Sequence, residues 1–412
     1  MQHRACFVSW LLLVTGLTAP AVAVSRHMFI TSALGTGDLS SWAPFGTELA
    51  AADAICLEAA TNAGLSDPQD YRAWLSTATT DAYCHVQGYS GKRADNCGQA
   101  SLPTAAGPWT RVDDKQFAAD ITHMLAPDQQ VYTPPWTDEN GANAATVLAT
   151  IWTGTSATGE YDDTFGSCLD WSTTSSSASI GYAGATGASW TQLSGGRCDL
   201  PRHLLCFQLG AAEPFSLAPN WGRLAFVTSV AGTADFATWP ESGGEDGFTG
   251  GNQICRTLAT AAGLPNADSF KAWLSNTNKD AKDRFDDDGP WMRLDRIRIA
   301  PDLAGLTDGE LHAPINLTET GQYLDLTPAW TGTDSSGKLP SGGLDCANWA
   351  DGSTVEYSTI GLADIATSEW TDFVADNGCY QSAHLYCLQD LPLVFADDFE
   401  CGCTDVWALV AP

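Results

Sequence analysis

Two stretches of the chain repeat apolar residues at helical spacing. In TELAAADAICLEAATNAGL, Leu49, Ala52, Cys56, Ala59 and Ala63 fall on one face, and Gly64 stands where a helix would end. GNQICRTLATAAGL repeats the pattern with Cys255, Leu258 and Ala262, followed by Gly263. Most of the remainder is short apolar runs between Gly-, Ser- and Thr-rich segments. Among them FITS, AWLS, TRVD and HLLCFQ read as short strands. The pattern predicts an α+β layout: one buried helix in each part of the chain, with short strands and long loops.

The two helices belong to an ordered series of matches. FITS (Phe29–Ser32) answers FVTS (Phe226–Ser229), RAWLS ending at Ser76 answers KAWLS ending at Ser275, and GPWTRVD (Gly107–Asp113) answers GPWMRLD (Gly289–Asp295). WTGT follows at Trp152 and Trp330, then CLDW at Cys168 and CANW at Cys346, then HLLCFQ at His203 and HLYCLQ at His384. Matches in this order imply duplication of a whole domain rather than a solenoid repeat. The offset of 199 at Cys56/Cys255 falls to 182 at Gly107/Gly289, so the first copy holds 17 extra residues within 77–106. The expected organisation is one domain over 24–210, a linker over 211–223 carrying Pro214 and Pro219, a second domain over 224–390 and a tail over 391–412.

The chain opens with a basic residue, an apolar run and the small-residue site Ala21-Val22-Ala23, the pattern of a signal peptide over 1–23 cleaved after Ala23. The apolar run is too short for a membrane span, and no later segment supplies one. A secreted or cell-surface protein is expected. With 19 basic against 49 acidic residues the net charge is −30, which excludes phosphate backbones and anionic membranes as partners. No nucleic acid partner is expected, whereas cationic partners and divalent ions fit the charge.

Export makes disulfides the default state of the cysteines. Each copy has one early cysteine (Cys56, Cys255) and three late ones (Cys168, Cys198, Cys206; Cys346, Cys379, Cys387), and spacing leaves all three pairings of such a set open. Cys84 and Cys97 arrive together in the insertion and suggest a local staple. Cys401 and Cys403 in the tail could pair with each other, link two chains into a dimer or attach the protein covalently. No Cys-x-x-Cys or paired-His spacing supports zinc.

The string F-[IV]-T-S, Cys, A-G-L, A-W-L-S, G-P-W-x-R-x-D, W-T-G-T, C-x-x-W, W-T, C-x(7)-C, written in both copies, resembles a bacterial domain family of unknown function that includes the leptospiral endostatin-like proteins. The resemblance implies two tandem endostatin-like domains of the C-type-lectin-like fold, each a twisted antiparallel sheet with one or two flanking helices. It also implies nested disulfides, Cys56–Cys206 and Cys255–Cys387 with Cys168–Cys198 and Cys346–Cys379 inside. Some relatives bind host matrix and serum proteins, which makes adhesin-like binding the implied activity. The tail, FADDFECGCTDVW, is similar to short C-terminal tails of exported bacterial proteins.

Candidate chemistry is sparse. The Glu-Pro-Asn and Gln-Pro-Asp loops of calcium-dependent lectins are missing, and WTD at Trp370–Asp372 is WTQ at Trp190–Gln192 in the first copy. RFDDDGPWMRLD puts Asp286 and Asp288 at calcium-loop positions, but Arg284 stands where the first carboxylate belongs. Asp286, Asp288 and Asp372 are therefore the remaining calcium candidates, and no cofactor is required. No hydrolase, metalloprotease or phosphate-loop motif occurs. His203 and His384 read as structural strand-edge residues, and Arg111 and Arg293, each two residues before an Asp, as ion-pair members. Twelve of the 16 Trp form six matched pairs, explained by a shared core; Trp136 and Trp221 have no counterpart and are the candidate surface anchors. Asn316-Leu-Thr318 is a glycosylation sequon. The expected function is non-catalytic binding of an extracellular protein or glycan. The alternatives are an extracellular enzyme acting on polysaccharide and a structural envelope component held by its tail.

Overall fold

The computed structural model describes residues 26–144, 149–215, 222–286 and 289–391. Among the described residues the fold is mixed α+β, with few helices, several sheets and five disulfides. In the first half the strands are β1 (Arg26–Ile30), β2 (Tyr71–Ala73), β3 (Trp109–Arg111), β4 (Gln116–Ala118), β5 (Thr150–Trp152), β6 (Ser177–Tyr182), β7 (Ser194–Arg197) and β8 (Leu205–Gln208). In the second they are β9 (Arg223–Val227), β10 (Phe270–Ala272), β11 (Trp291–Met292), β12 (Arg298–Ala300), β13 (Pro328–Trp330), β14 (Tyr357–Leu362), β15 (Val374–Gly378) and β16 (His384–Gln389). FITS and HLLCFQ thus fall on strands. AWLS contributes only Ala73 to a strand; beyond it the Trp74 and Ser76 N–H groups donate to the carbonyls of Leu205 and Thr153.

The pairing order β2-β8-β1-β3-β4 recurs as β10-β16-β9-β11-β12, and β5-β6-β7 recurs as β13-β14-β15. In the second half the two groups join into one eight-stranded sheet, because β13 runs parallel to β16 at Ala329↔His384. In the first half the same junction is a single bridge, Ile151↔His203. His203 and His384 close these junctions by placing Nδ1 2.5 Å and 2.6 Å from the carbonyls of Thr31 and Thr228. Burial lowers both histidines below their ordinary values, as expected for neutral rings held at a strand end.

Helix α1 (Glu48–Asn62) buries Ala51, Ala52, Ile55 and Cys56, and α2 (Gly247–Ala261) buries Gly250, Gly251, Ile254 and Cys255. Each is stapled to the last strand of its half, by Cys56–Cys206 and Cys255–Cys387. Asp53 on α1 accepts the Ala73 N–H at 3.0 Å and meets His85 Nε2 at 2.9 Å. Asn252 on α2 does the same work, accepting the Ala272 N–H at 3.0 Å and Arg284 Nη2 at 2.8 Å. Arg284, the residue at the first calcium-loop position, is thereby drawn inward, its guanidinium 3.7 Å over the Phe248 ring.

The repeated WTGT is explained by packing. Trp152 and Trp330 donate to the carbonyls of Gly35 and Gly232 at 2.9 Å and 3.0 Å. Thr153 and Thr331 donate to Thr191 and Thr371 at 2.7 Å. Gly154 and Gly332 lie at φ of +58° and +57°, and a Cβ there would stand 2.8 Å and 2.7 Å from the rings of Trp171 and Trp349. Thr155 and Thr333 bond the hydroxyls of Ser76 and Ser275 at 2.9 Å and 3.0 Å. Every position is occupied by a residue with a specific task.

The rings of Trp171 and Trp349 are delivered by an unusual turn. Cys168 to Trp171 run through φ values of 53°, 50°, 53° and 65°, and Cys346 to Trp349 through 51°, 53°, 60° and 66°. Four successive non-glycine residues in the left-handed region are costly, at about 1–2 kcal/mol each. The conformation is held by Cys168–Cys198 and Cys346–Cys379, and by indole bonds to Ser76 and Ser275 at 2.9 Å and 3.0 Å.

One apolar core runs through both halves, joining Trp74, Trp190 and Phe207 to Trp273, Trp370 and Tyr386. A smaller cluster of Tyr182, Ala185, Leu362 and Ile365 marks the seam between them. Among the described residues no helix is long and apolar enough to cross a membrane. Residues 1–23, expected from sequence to be a leader, and Trp221, Asp288, Cys401 and Cys403 lie outside the described residues.

Candidate functional site

A cavity of about 650 Å³ forms an open groove in the first half. One wall is Thr104 and Ala105, the end of the inserted segment. That segment is rigidly tied. Cys84–Cys97 closes it, and the buried Asp81 carboxylate accepts Lys92 Nζ at 3.0 Å and the Arg93 N–H at 2.7 Å. Tyr83 Oη and Gln87 Nε2 both donate to the Pro103 carbonyl, at 2.5 Å and 3.2 Å, fixing the wall beside it.

The opposite wall is the chain leaving β8. Gly107 N–H donates to Gly210 at 3.1 Å and Ala212 N–H to Gly107 at 2.8 Å, laying Ala212, Pro214 and Phe215 along the start of β3. Phe215 meets Tyr132 edge-on, with ring centroids 6.2 Å apart. Pro108 and Ala119 complete an apolar lining.

The polar contribution is Asp120 and His123. Asp120 Oδ1 accepts the N–H groups of Thr122 and His123, both at 2.8 Å, while Oδ2 holds His123 Nδ1 at 2.6 Å. That hydrogen bond, opposed by partial burial and helped by the charges of Asp120 and Asp128, raises the imidazole above its ordinary value. His123 is half exposed, so the groove presents an oriented imidazole–carboxylate pair beside apolar walls. In the second half Asp302 caps the corresponding turn through Gly305 N–H at 2.8 Å, and Gly305 stands where the first half has His123. Insertion, inter-half segment and His123 are all single-copy features, so the groove has no twin.

The residues singled out from sequence fall elsewhere. Trp136 is a correction: it is only 3% exposed and lies under the Arg111 guanidinium, 5.4 Å from its centre. Its lack of a counterpart has a packing cause. Three residues before Glu319, where Trp136 precedes Glu139, stands Asn316, whose Oδ1 accepts Arg293 Nη1 at 2.7 Å; Tyr323 covers that guanidinium instead, at 5.4 Å. Arg111 and Arg293 are buried and paired to Asp113 and Asp295 at 2.5 Å and 2.7 Å. Burial alone would raise Asp113, but the hydrogen bond and charge of Arg111, with Lys115, hold it below its ordinary value. Asn316 is fully buried, so its sequon is closed to glycosylation in the folded protein.

Asp286 is exposed, 3.7 Å from Lys271 Nζ. Asp372 is partly buried, and burial with the charge of Asp334 raises it, against a backbone hydrogen bond from Ser335. Among the described residues no three His, Cys, Asp or Glu side chains gather into a group that could hold a metal ion. The groove residues His123, Tyr132 and Phe215 carried no motif; the insertion and linker around them were the only sequence signal. No family model matches the chain, and no curated protein matches its sequence.

Proposed function

We propose that the protein is an exported, non-catalytic binding protein built from two tandem endostatin-like domains of the C-type-lectin-like fold. The ligand class is an extracellular protein or glycan, taken up in the groove of the first half. The observation that carries this reading is the groove itself. Its volume falls within the range of ligand sites, and it joins apolar walls at Pro108, Tyr132 and Phe215 to one oriented polar pair. The second half lacks these features and serves as the scaffold against which the first is fixed, so binding is single-sited rather than shared between copies. Five disulfides and a net charge of −30 suit an exported protein. Attachment through Cys401 and Cys403 belongs to the alternative role, a structural envelope component held by its tail.

The test is a binding screen of the purified chain on matrix-protein and glycan arrays, with calcium and with chelator. Tyr132→Ala, Phe215→Ala and His123→Ala are each expected to weaken binding by roughly tenfold or more. Val355→Ala, at an exposed site in the second half, should leave it unchanged. Hits unaffected by all three groove substitutions would place the site elsewhere.

A further inference from the structure

Asp325, ahead of β13, and Asp364, after β14, both send carboxyl groups into the seam against residues 186–189 of the first half. Asp364 is completely buried. Thr186 N–H and Oγ1 donate to its carbonyl at 2.9 Å and 3.1 Å, and Ser189 Oγ donates to its Oδ2 at 3.0 Å. The backbone N–H groups of Ala188 and Ser189 face Asp325 and oppose its upward shift. The fit is tight, since a Cβ on Gly187 would stand 2.0 Å from Asp325 Oδ1 and 3.0 Å from Asp364 Oδ2.

The two carboxyls are in side-chain hydrogen-bonding contact, yet Oδ1 of each is buried with no donor. Two acceptors in contact, one of them fully buried and the other partly so, favour a proton between them, because like charges this close repel and Asp364 has no water to screen it. The other groups against the pair supply no cation. They are the hydroxyls of Thr186 and Ser189 and the phenol of Tyr386 on β16, which donates to the Trp370 carbonyl at 2.9 Å. Arg293 reaches the seam only through Asn316, which donates to Thr186 Oγ1 at 3.1 Å, and its own charge is matched by Asp295. Duplication does not account for the pair: three residues after Gly181, where Asp364 follows Gly361, the first half has Gly184.

We propose that Asp325 and Asp364 share one proton and that this proton latches the two halves together, so that its loss loosens the seam. Burial first, and the neighbouring Asp325 second, push Asp364 up to about 7; burial raises Asp325 as well. An acid raised in the folded state carries no penalty below its ordinary value of 3.8, where folded and unfolded forms are both protonated. The penalty grows as pH climbs from there toward about 7 and is complete above it. The latch is therefore closed in acid and strained at neutral and alkaline pH.

The test uses the full mature chain, with Asp364→Asn as the variant that keeps shape and a donor but cannot ionise. Thermal unfolding is compared at about pH 4.5 and about pH 8, with amide hydrogen exchange read at Thr186 and Ser189 against β14. The two proteins should melt together in acid, and the variant should melt roughly 5 °C or more higher at the alkaline pH. In the parent, exchange at those amides, corrected for intrinsic rate, should quicken on the order of tenfold at alkaline pH relative to β14, and not in the variant. An identical pH response in parent and variant would overturn the proposal. So would a loss of alkaline stability on adding a chelator, which would put a divalent cation in place of the proton. If Asp364→Asn fails to fold, Asp325→Asn replaces it, and an unchanged exchange ratio in the parent alone is decisive against the latch.

Discussion

Ala185 and Ile365 form an antiparallel bridge across the seam, and each stands four residues after the matched glycines Gly181 and Gly361. A residue therefore pairs with its own counterpart. The flanking bonds obey the same exchange: Thr186 N–H donates to Asp364 at 2.9 Å and Ala366 N–H to Gly184 at 3.2 Å. This is the isologous contact of a two-fold dimer, written within one chain. Tyr182 Oη extends it by donating to Glu369 at 2.9 Å.

A charge placed on that axis has no partner. Ala185→Asp, at a fully buried site, should destabilise the protein by about 3 kcal/mol or more. Urea unfolding reads the change, and a midpoint matching the parent would mean that the seam is not closed in solution.

Gly332 offers a test of the repeated motif. Alanine there must adopt φ near +57° with its Cβ 2.7 Å from the Trp349 ring and 2.9 Å from the Ser275 carbonyl. Strain and clash together predict a loss of about 2–4 kcal/mol, again in urea, and Gly154→Ala should behave alike. A difference below about 0.5 kcal/mol would show that the turn can relax.

The left-handed turns depend on their staples. Replacing both Cys346 and Cys379 by Ser opens a link between residues 33 apart, for which loop-closure entropy gives about 4 kcal/mol. The expected result is a lower melting temperature together with a less buried Trp349, seen as a red shift in tryptophan emission. Retention of both parent values would mean that the indole bond to Ser275 suffices.

His123 carries a pH signature. Its hydrogen bond to Asp120 raises it above 6.5, so the ring stays protonated further toward neutral pH than an unpartnered histidine. Its favourable interaction is fully present below 6.5 and is lost as pH rises through the raised value. Asp120→Asn keeps an acceptor for Thr122 and His123 while removing the charge, and should lower the ring's titration midpoint in proton NMR. Equal midpoints would dismiss the pair as a feature of the groove.

Much of the fold was legible because the chain writes it twice. Helix faces, strand runs and cysteine positions recur in order, and five of the six matched tryptophan pairs are core residues: the Trp74, Trp109, Trp152, Trp171 and Trp190 pairs are all fully buried. Comparing copies fails where they differ. Trp136 looked like a surface anchor because it had no twin, whereas Asn316 and Tyr323 had divided its task of covering a buried arginine.

Periodicity, composition and repetition are local properties, and they determined the α+β class and most of the residues that fill the core. The tertiary structure alone decided the groove and the seam. His123, Tyr132 and Phe215 meet only when the inserted segment and the chain beyond β8 pack against β3. Asp325 and Asp364 are 39 residues apart in sequence and are aimed at a turn of the other half, about as far along the chain again as a whole copy. No spacing rule connects such positions, because what joins them is the burial of two surfaces against each other, and that free energy depends on the folded shape of both.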